Sequence, residues 1–189
     1  MNFVNCTRSD VSALVPIICL MGENLVGLEL GVFEATSFMT LLHNCPNIKT
    51  LHGVDAYKPY DDYIKTPYDG TIAMTIDAPT IETVKAISYI RQKYSGMTEK
   101  IVFHEEHSDL TVKKFEPETL DFIFLDAYLS YEHTEKDLTN WFPIIKTGGL
   151  FAGHVWDCPV VQRAVNEFRF KNGITSRMMT YNNTWAWFK

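Results

Sequence analysis

Glu29-Leu30-Gly31-Val32-Phe33-Glu34-Ala35-Thr36-Ser37 joins the end of a strand to a glycine turn and the start of a helix. The apolar run Leu25 to Leu30 leads into it, Phe38 to Leu42 carries it on as a helix, and Ile48 to Val54 reads as a short second strand closed by Asp55. Strand, turn, helix and strand in that order, with an acid ending the second strand, is how a doubly wound α/β sheet receives a nucleotide-like cofactor. The turn lets the backbone approach the ligand, the acid faces the ribose hydroxyls, and the crevice opens at the carboxyl ends of the strands.

Downstream, helix and strand alternate with no internal repeat or low-complexity segment. Tyr57 to Tyr63, continued by Tyr68-Asp69-Gly70, is a long irregular stretch rich in aromatics and turn formers, suited to a lid. Pro79 opens a helical run through Ile81, Val84, Ile87 and Ile90, and Lys100 to His104 reads as strand three. Ser108 or Asp109 caps a short helix. Leu120 to Asp126 is a buried fourth strand ending in an acid, followed by a helix from Tyr131 to Phe142. Gly148-Gly149 turns into strand five, Leu150 to His154, and Val160 to Phe170 is helical with Val161, Ala164, Val165 and Phe168 on one face. Ser176 to Tyr181 and Thr184 to Phe188, joined by Asn182-Asn183, form a tight hairpin. The expected fold is a Rossmann-like doubly wound sheet of seven mostly parallel strands, with helices on both faces and an antiparallel C-terminal hairpin. Residues 1–189 read as a single domain, with a leading helix in 1–22 and a cofactor-binding core in 23–189.

With 189 residues, 46% of them hydrophobic and 21% charged, the chain can bury a full core. A net charge of -6 and no basic cluster longer than Lys113-Lys114 argue against an extended nucleic-acid surface. Cys6, Cys19, Cys45 and Cys158 stand far apart without paired spacing, so neither a zinc ribbon nor a disulfide framework is expected, and reduced thiols in a cytoplasmic protein are. The apolar stretch Val11 to Met21 lacks the flanks of a signal peptide, is interrupted by Pro16, and is too short to span a bilayer; it reads as the leading helix packed on the sheet. Trp185 and Trp187 share one face of the last strand and suit packing or an interface.

The ordered set Glu29-Leu30-Gly31-Val32-Phe33 with Ser37, Gly53-Val54-Asp55, Asp121 to Asp126 with Ser130-Tyr131-Glu132, and Lys146 to His154 resembles class I S-adenosylmethionine-dependent methyltransferases, in particular their small O-methyltransferase branch. The resemblance covers Glu23 to the carboxyl terminus. It implies that Glu29, Gly31, Phe33 and Ser37 surround the methionine part of S-adenosylmethionine, that Asp55 accepts hydrogen bonds from the ribose diol, and that His107 and Ser108 sit beside the adenine. Asp126 would lie near the methionine amino group or a metal. A nicotinamide cofactor is the competitor in this architecture, but its pyrophosphate calls for more glycines than the single Gly31 supplies, since Ala35 occupies a later turn position.

In metal-dependent relatives a divalent cation binds the acceptor oxygen and lowers its pKa. Asp126, His154 and Asp157 are the candidate ligands here, suited to magnesium or another divalent cation. Two departures weaken that reading: Leu129 stands where relatives often carry a histidine, and Val155 where they carry an acid. His154, with Asp126, is then the leading catalytic candidate, as an imidazole titrates near neutrality. The expected partner is a small hydroxylated acceptor, with no membrane; the oligomeric state is not legible. A protein that binds the cofactor without transferring its methyl group is the alternative within the fold.

Overall fold

A computed structural model describes residues 9–58, 78–128 and 130–189. The irregular stretch from Pro59 onward and Leu129 lie outside the described residues. The strands are β1 (Leu25–Leu30), β2 (Ile48–Val54), β3 (Ile101–His104), β4 (Leu120–Leu125), β5 (Ile145–Gly153), β6 (Met179–Tyr181) and β7 (Thr184–Phe188). The helices are α1 (Ser9–Ser12), α2 (Val15–Leu20), α3 (Thr36–Asn44), α4 (Ala78–Lys93), α5 (Ser108–Thr111), α6 (Tyr131–Trp141) and α7 (Pro159–Lys171).

The described strands form one seven-stranded sheet in the order β3-β2-β1-β4-β5-β7-β6. β1 pairs in parallel with both β2 and β4, so the chain reverses its direction of winding between β1 and β4 and leaves a crevice at their carboxyl ends. Both faces are covered, which explains why the central strands are nearly continuous apolar runs. Ile123 and Leu125 join Leu138, Trp141, Val161 and Val165 on one face, while Phe122 and Phe124 join Phe38, Leu41 and Leu42 on the other. This is the Rossmann-like architecture expected from the residues.

The leading segment is two short helices rather than one. Pro16 lacks an N–H and is accommodated only in a first turn, so it opens α2 instead of continuing α1. Val11, Leu14 and Ile18 are buried against α3, and Asn47 Nδ2 ties the segment down by donating to the carbonyls of Ile18 (2.9 Å) and Gly22 (2.7 Å). The C-terminal hairpin turns through Asn182 and Asn183, both in left-handed backbone as a two-residue hairpin loop requires. β7 runs antiparallel to β5 and stacks Trp185 on Trp187 with centroids 5.1 Å apart. Trp185 packs over Gly153, where an added Cβ would meet the indole at 2.2 Å. Both indoles are fully buried in the core, so their role is packing within the fold. Among the described residues no helix is long and apolar enough to cross a membrane.

Candidate functional site

Gly31 sits where β1 ends, with φ +82°, and an added Cβ would stand 2.2 Å from the Asp126 carbonyl oxygen. The turn is fastened to both neighbouring strands: Gly31 N–H donates to the Val54 carbonyl at 2.9 Å, and Asp126 N–H donates to the Leu30 carbonyl at 2.8 Å. Asp126 is thereby held against the glycine turn across the switch point.

Phe33, Ala35 and Tyr57 all adopt left-handed backbone, at φ 50°, 62° and 47°. For a residue with a Cβ this costs roughly 1–2 kcal/mol, and such strain concentrates at ligand-binding turns where the surroundings hold it. Asp55 is the principal clamp here. Its Oδ2 accepts from Phe33 N–H and its Oδ1 from Tyr57 N–H, each at 2.8 Å, while Tyr57 Oη donates to the Phe33 carbonyl at 3.0 Å. Arg91 on α4 braces the far side through the Glu34 carbonyl (2.8 Å) and Thr36 Oγ1 (2.5 Å). Ala35 stands at the usual glycine position of the turn and takes the left-handed conformation regardless, closing a 2.7 Å bond to the Val32 carbonyl.

Burial pushes the Asp55 carboxyl above its ordinary range, opposed by the backbone N–H groups of Phe33, Tyr57 and Val32 and by nearby His107. His107 is thus close enough to Asp55 to act on its charge. Each carboxylate oxygen has a second lone pair, so a diol would share Asp55 with the turn that the residue already organises.

Glu29 is fully buried and accepts a 2.5 Å hydrogen bond from Ser37 Oγ on the first turn of α3. Phe33 stands 39% exposed, at the open rim. His107 is the N-cap residue of α5, and its carbonyl accepts from Leu110 and Thr111 N–H. Ser108 is therefore not the cap. Its buried hydroxyl donates to Asp137 Oδ1 on α6 at 2.5 Å. Desolvation raises the Asp137 carboxyl to about 6, with the Ser108 hydrogen bond and Lys136 acting against it.

Asp126 and His154 end neighbouring strands and meet: His154 Nδ1 lies 2.9 Å from Asp126 Oδ1, both side chains being almost entirely buried. The imidazole is held in place by its own backbone, since His154 N–H donates to the Leu125 carbonyl (2.9 Å) and Trp185 Nε1 donates to the His154 carbonyl (3.2 Å). Val155, immediately after, is buried in left-handed backbone at φ 57°, an outlier for a β-branched residue. Asp157, the third residue of the expected metal set, stands apart from this pair. Asp157 is exposed, its N–H donates to Asn183 Oδ1 in the hairpin turn, and among the described residues no three His, Cys, Asp or Glu side chains gather to hold an ion.

Two contributors to the turn were not identified from the sequence. Tyr57 follows Asp55 by two residues and was assigned to the aromatic stretch, and Arg91 reaches the turn from a helix with no local sign of it.

The sequence matches the methyltransferase domain family over residues 28–155, a span running from β1 through the His154 corner. The chain belongs to this methyltransferase family. Among curated proteins, none matches it. The fold is shared with the O-methyltransferase NovP at 20% identity and a TM-score of 0.68, covering 95% of this chain and 77% of that one. The O-methyltransferase TomG from Streptomyces achromogenes, involved in tomaymycin synthesis and solved in complex with SAM, matches at 14% identity and a TM-score of 0.63, covering 95% and 79%. An O-methyltransferase from Bacillus cereus in complex with SAH matches at 12% identity and a TM-score of 0.64, covering 97% and 82%. This methyltransferase thus carries its glycine turn, Asp55 and the Asp126–His154 pair at the carboxyl edge of the sheet typical of its fold.

Proposed function

We propose that the protein transfers the methyl group of S-adenosylmethionine to an oxygen of a small hydroxylated molecule, with His154 taking the acceptor's proton. The observation that carries this reading is the 2.9 Å contact between His154 Nδ1 and Asp126 Oδ1 beside the Gly31 turn. The sulfonium of S-adenosylmethionine supplies an electrophilic methyl group. The chain's own task is to align an acceptor and receive a proton.

Gly31 admits close backbone approach, Asp55 accepts from the ribose hydroxyls, Phe33 covers the rim, and His107 borders the adenine side. Ser37 acts through Glu29, fixing the buried carboxylate that backs the methionine end. A carboxylate on Nδ1 selects the tautomer with its basic lone pair on Nε2 and stabilises the imidazolium formed on proton uptake. The contact with Asp126 supports assigning proton removal to His154. The solved structures of TomG with SAM and the Bacillus cereus enzyme with SAH support this choice of cofactor over a nicotinamide.

Calorimetry with S-adenosylmethionine, S-adenosylhomocysteine and NAD, then methyl transfer from a labelled donor to a panel of hydroxylated acceptors with and without magnesium, tests the proposal. His154→Gln is expected to lower kcat by about 10²- to 10⁴-fold while leaving cofactor affinity within a few-fold. Preference for NAD, or a variant that keeps its rate, would overturn it. Val155, in the place of a carboxylate, gives the binding-only reading its footing; inactivity over a broad panel despite tight cofactor binding would favour it.

A further inference from the structure

The four cysteines are scattered in sequence, yet the fold brings two of them together on the side of the molecule that carries the leading helices. Cys19 Sγ donates to the Asn44 carbonyl at 3.4 Å, the residue directly before Cys45. Cys45 Sγ in turn donates to the Val15 carbonyl at 3.9 Å, on the same short helix as Cys19. Val15 and Cys19 are four apart in α2 and share a helical face, so each thiol is directed at the backbone beside the other. The two thiols are also close enough for Cys19 to act on the Cys45 thiol electrostatically. Cys19 is exposed and Cys45 is buried. Cys158 belongs to the core on the opposite face of the sheet.

We propose that Cys19 and Cys45 form a redox-controlled disulfide that staples α2 to the C-terminal end of α3, with an oxidised low-molecular-weight disulfide as the oxidant. The exposed Cys19 thiolate attacks one sulfur of oxidised glutathione, forming a mixed disulfide and releasing one glutathione thiolate. Cys45 then loses its proton and attacks the Cys19 sulfur, and the second glutathione leaves. Two protein thiols are oxidised and one glutathione disulfide is reduced to two glutathione thiols, so electrons and atoms balance.

The order of attack follows from burial. Desolvation, reinforced by the neighbouring Cys19, pushes the Cys45 thiol up to about 12, which makes it the slow resolving partner and not the first nucleophile. The bond would close a loop of about 25 residues, enough to restrict the unfolded chain appreciably.

The full-length protein is incubated with oxidised glutathione, and its disulfides are mapped by mass spectrometry after alkylation of free thiols. The expected product is a Cys19–Cys45 bond within one chain, together with a melting temperature raised by roughly 5–10 °C and restored to its starting value by dithiothreitol. Cys45→Ala is expected to stop at a glutathione adduct on Cys19, and Cys19→Ser to leave Cys45 unmodified. Circular dichroism melts of the reduced variants confirm that each is folded before it is read. A stable adduct on Cys19 in the unsubstituted protein, or pairing of Cys19 with Cys6, Cys158 or another chain, would overturn the proposal.

Discussion

Replacing Gly31 with alanine would set a methyl carbon 2.2 Å from the Asp126 carbonyl oxygen, at a backbone angle of φ +82°. The obstacle is backbone on both sides, so relief requires β1 and β4 to part at the switch point. Gly31→Ala is expected to lower the melting temperature by roughly 5–15 °C and to abolish S-adenosylmethionine binding, read by thermal denaturation and calorimetry. A variant that melts and binds normally would remove the glycine turn from the account. At this scale the sequence was informative about residue type and position, because Gly31, Asp55 and Asp126 each stand at a strand end. It was silent on occupancy. Nothing local tells that both oxygens of Asp55 already accept backbone N–H groups, or that Ala35 takes the left-handed conformation in a glycine's place.

Between α5 and α6 the fold buries the Asp137 carboxylate against the Ser108 hydroxyl. Burial raises the folded-state value of Asp137 to about 6, above that of the unfolded chain, so the unfolded state favours the charged form more than the folded one does. The cost is absent below about pH 4, grows as pH rises towards 6, and is complete above it. Asp137→Asn keeps an acceptor for Ser108 and removes the charge. It should stabilise the protein by about 1–3 kcal/mol at pH 8 and by almost nothing at pH 4, measured by urea denaturation at each pH. An equal effect at both pH values would rule out ionisation as the cause.

At the level of elements, β1, β2 and β7 were legible to the residue because apolar runs bounded by turn formers leave little choice of register. β5 was read too short. Gly148-Gly149 looked like the turn before the strand, whereas Gly148 N–H donates to the Lys189 carbonyl and Lys189 N–H to the Gly149 carbonyl, so pairing continues through the glycines as an irregular start to the strand. The Cys19–Cys45 approach was invisible for a different reason. It depends on α2 folding back over the end of α3, a tertiary event that cysteine spacing does not encode.

For the whole molecule, the order β3-β2-β1-β4-β5-β7-β6 puts a reversal of winding between β1 and β4, and the proposed cofactor site follows from that topology more than from any single motif. A ligand that binds only the folded state stabilises it in proportion to its saturation. S-adenosylmethionine at a hundred times its Kd should add about 2.7 kcal/mol, or roughly 5–10 °C in Tm, with NAD at the same concentration giving no comparable shift. A scan unchanged by S-adenosylmethionine would count against the site as a whole.

Asp55 gathers the amides of Phe33 and Tyr57, both from its own chain. A rim fastened by such bonds within the chain would leave a ligand little to order on entry. Differences in affinity among adenosyl compounds should then appear chiefly in how quickly they escape. Ribose hydroxyls, in the proposed role of Asp55, would have to share a carboxylate that its own chain already engages.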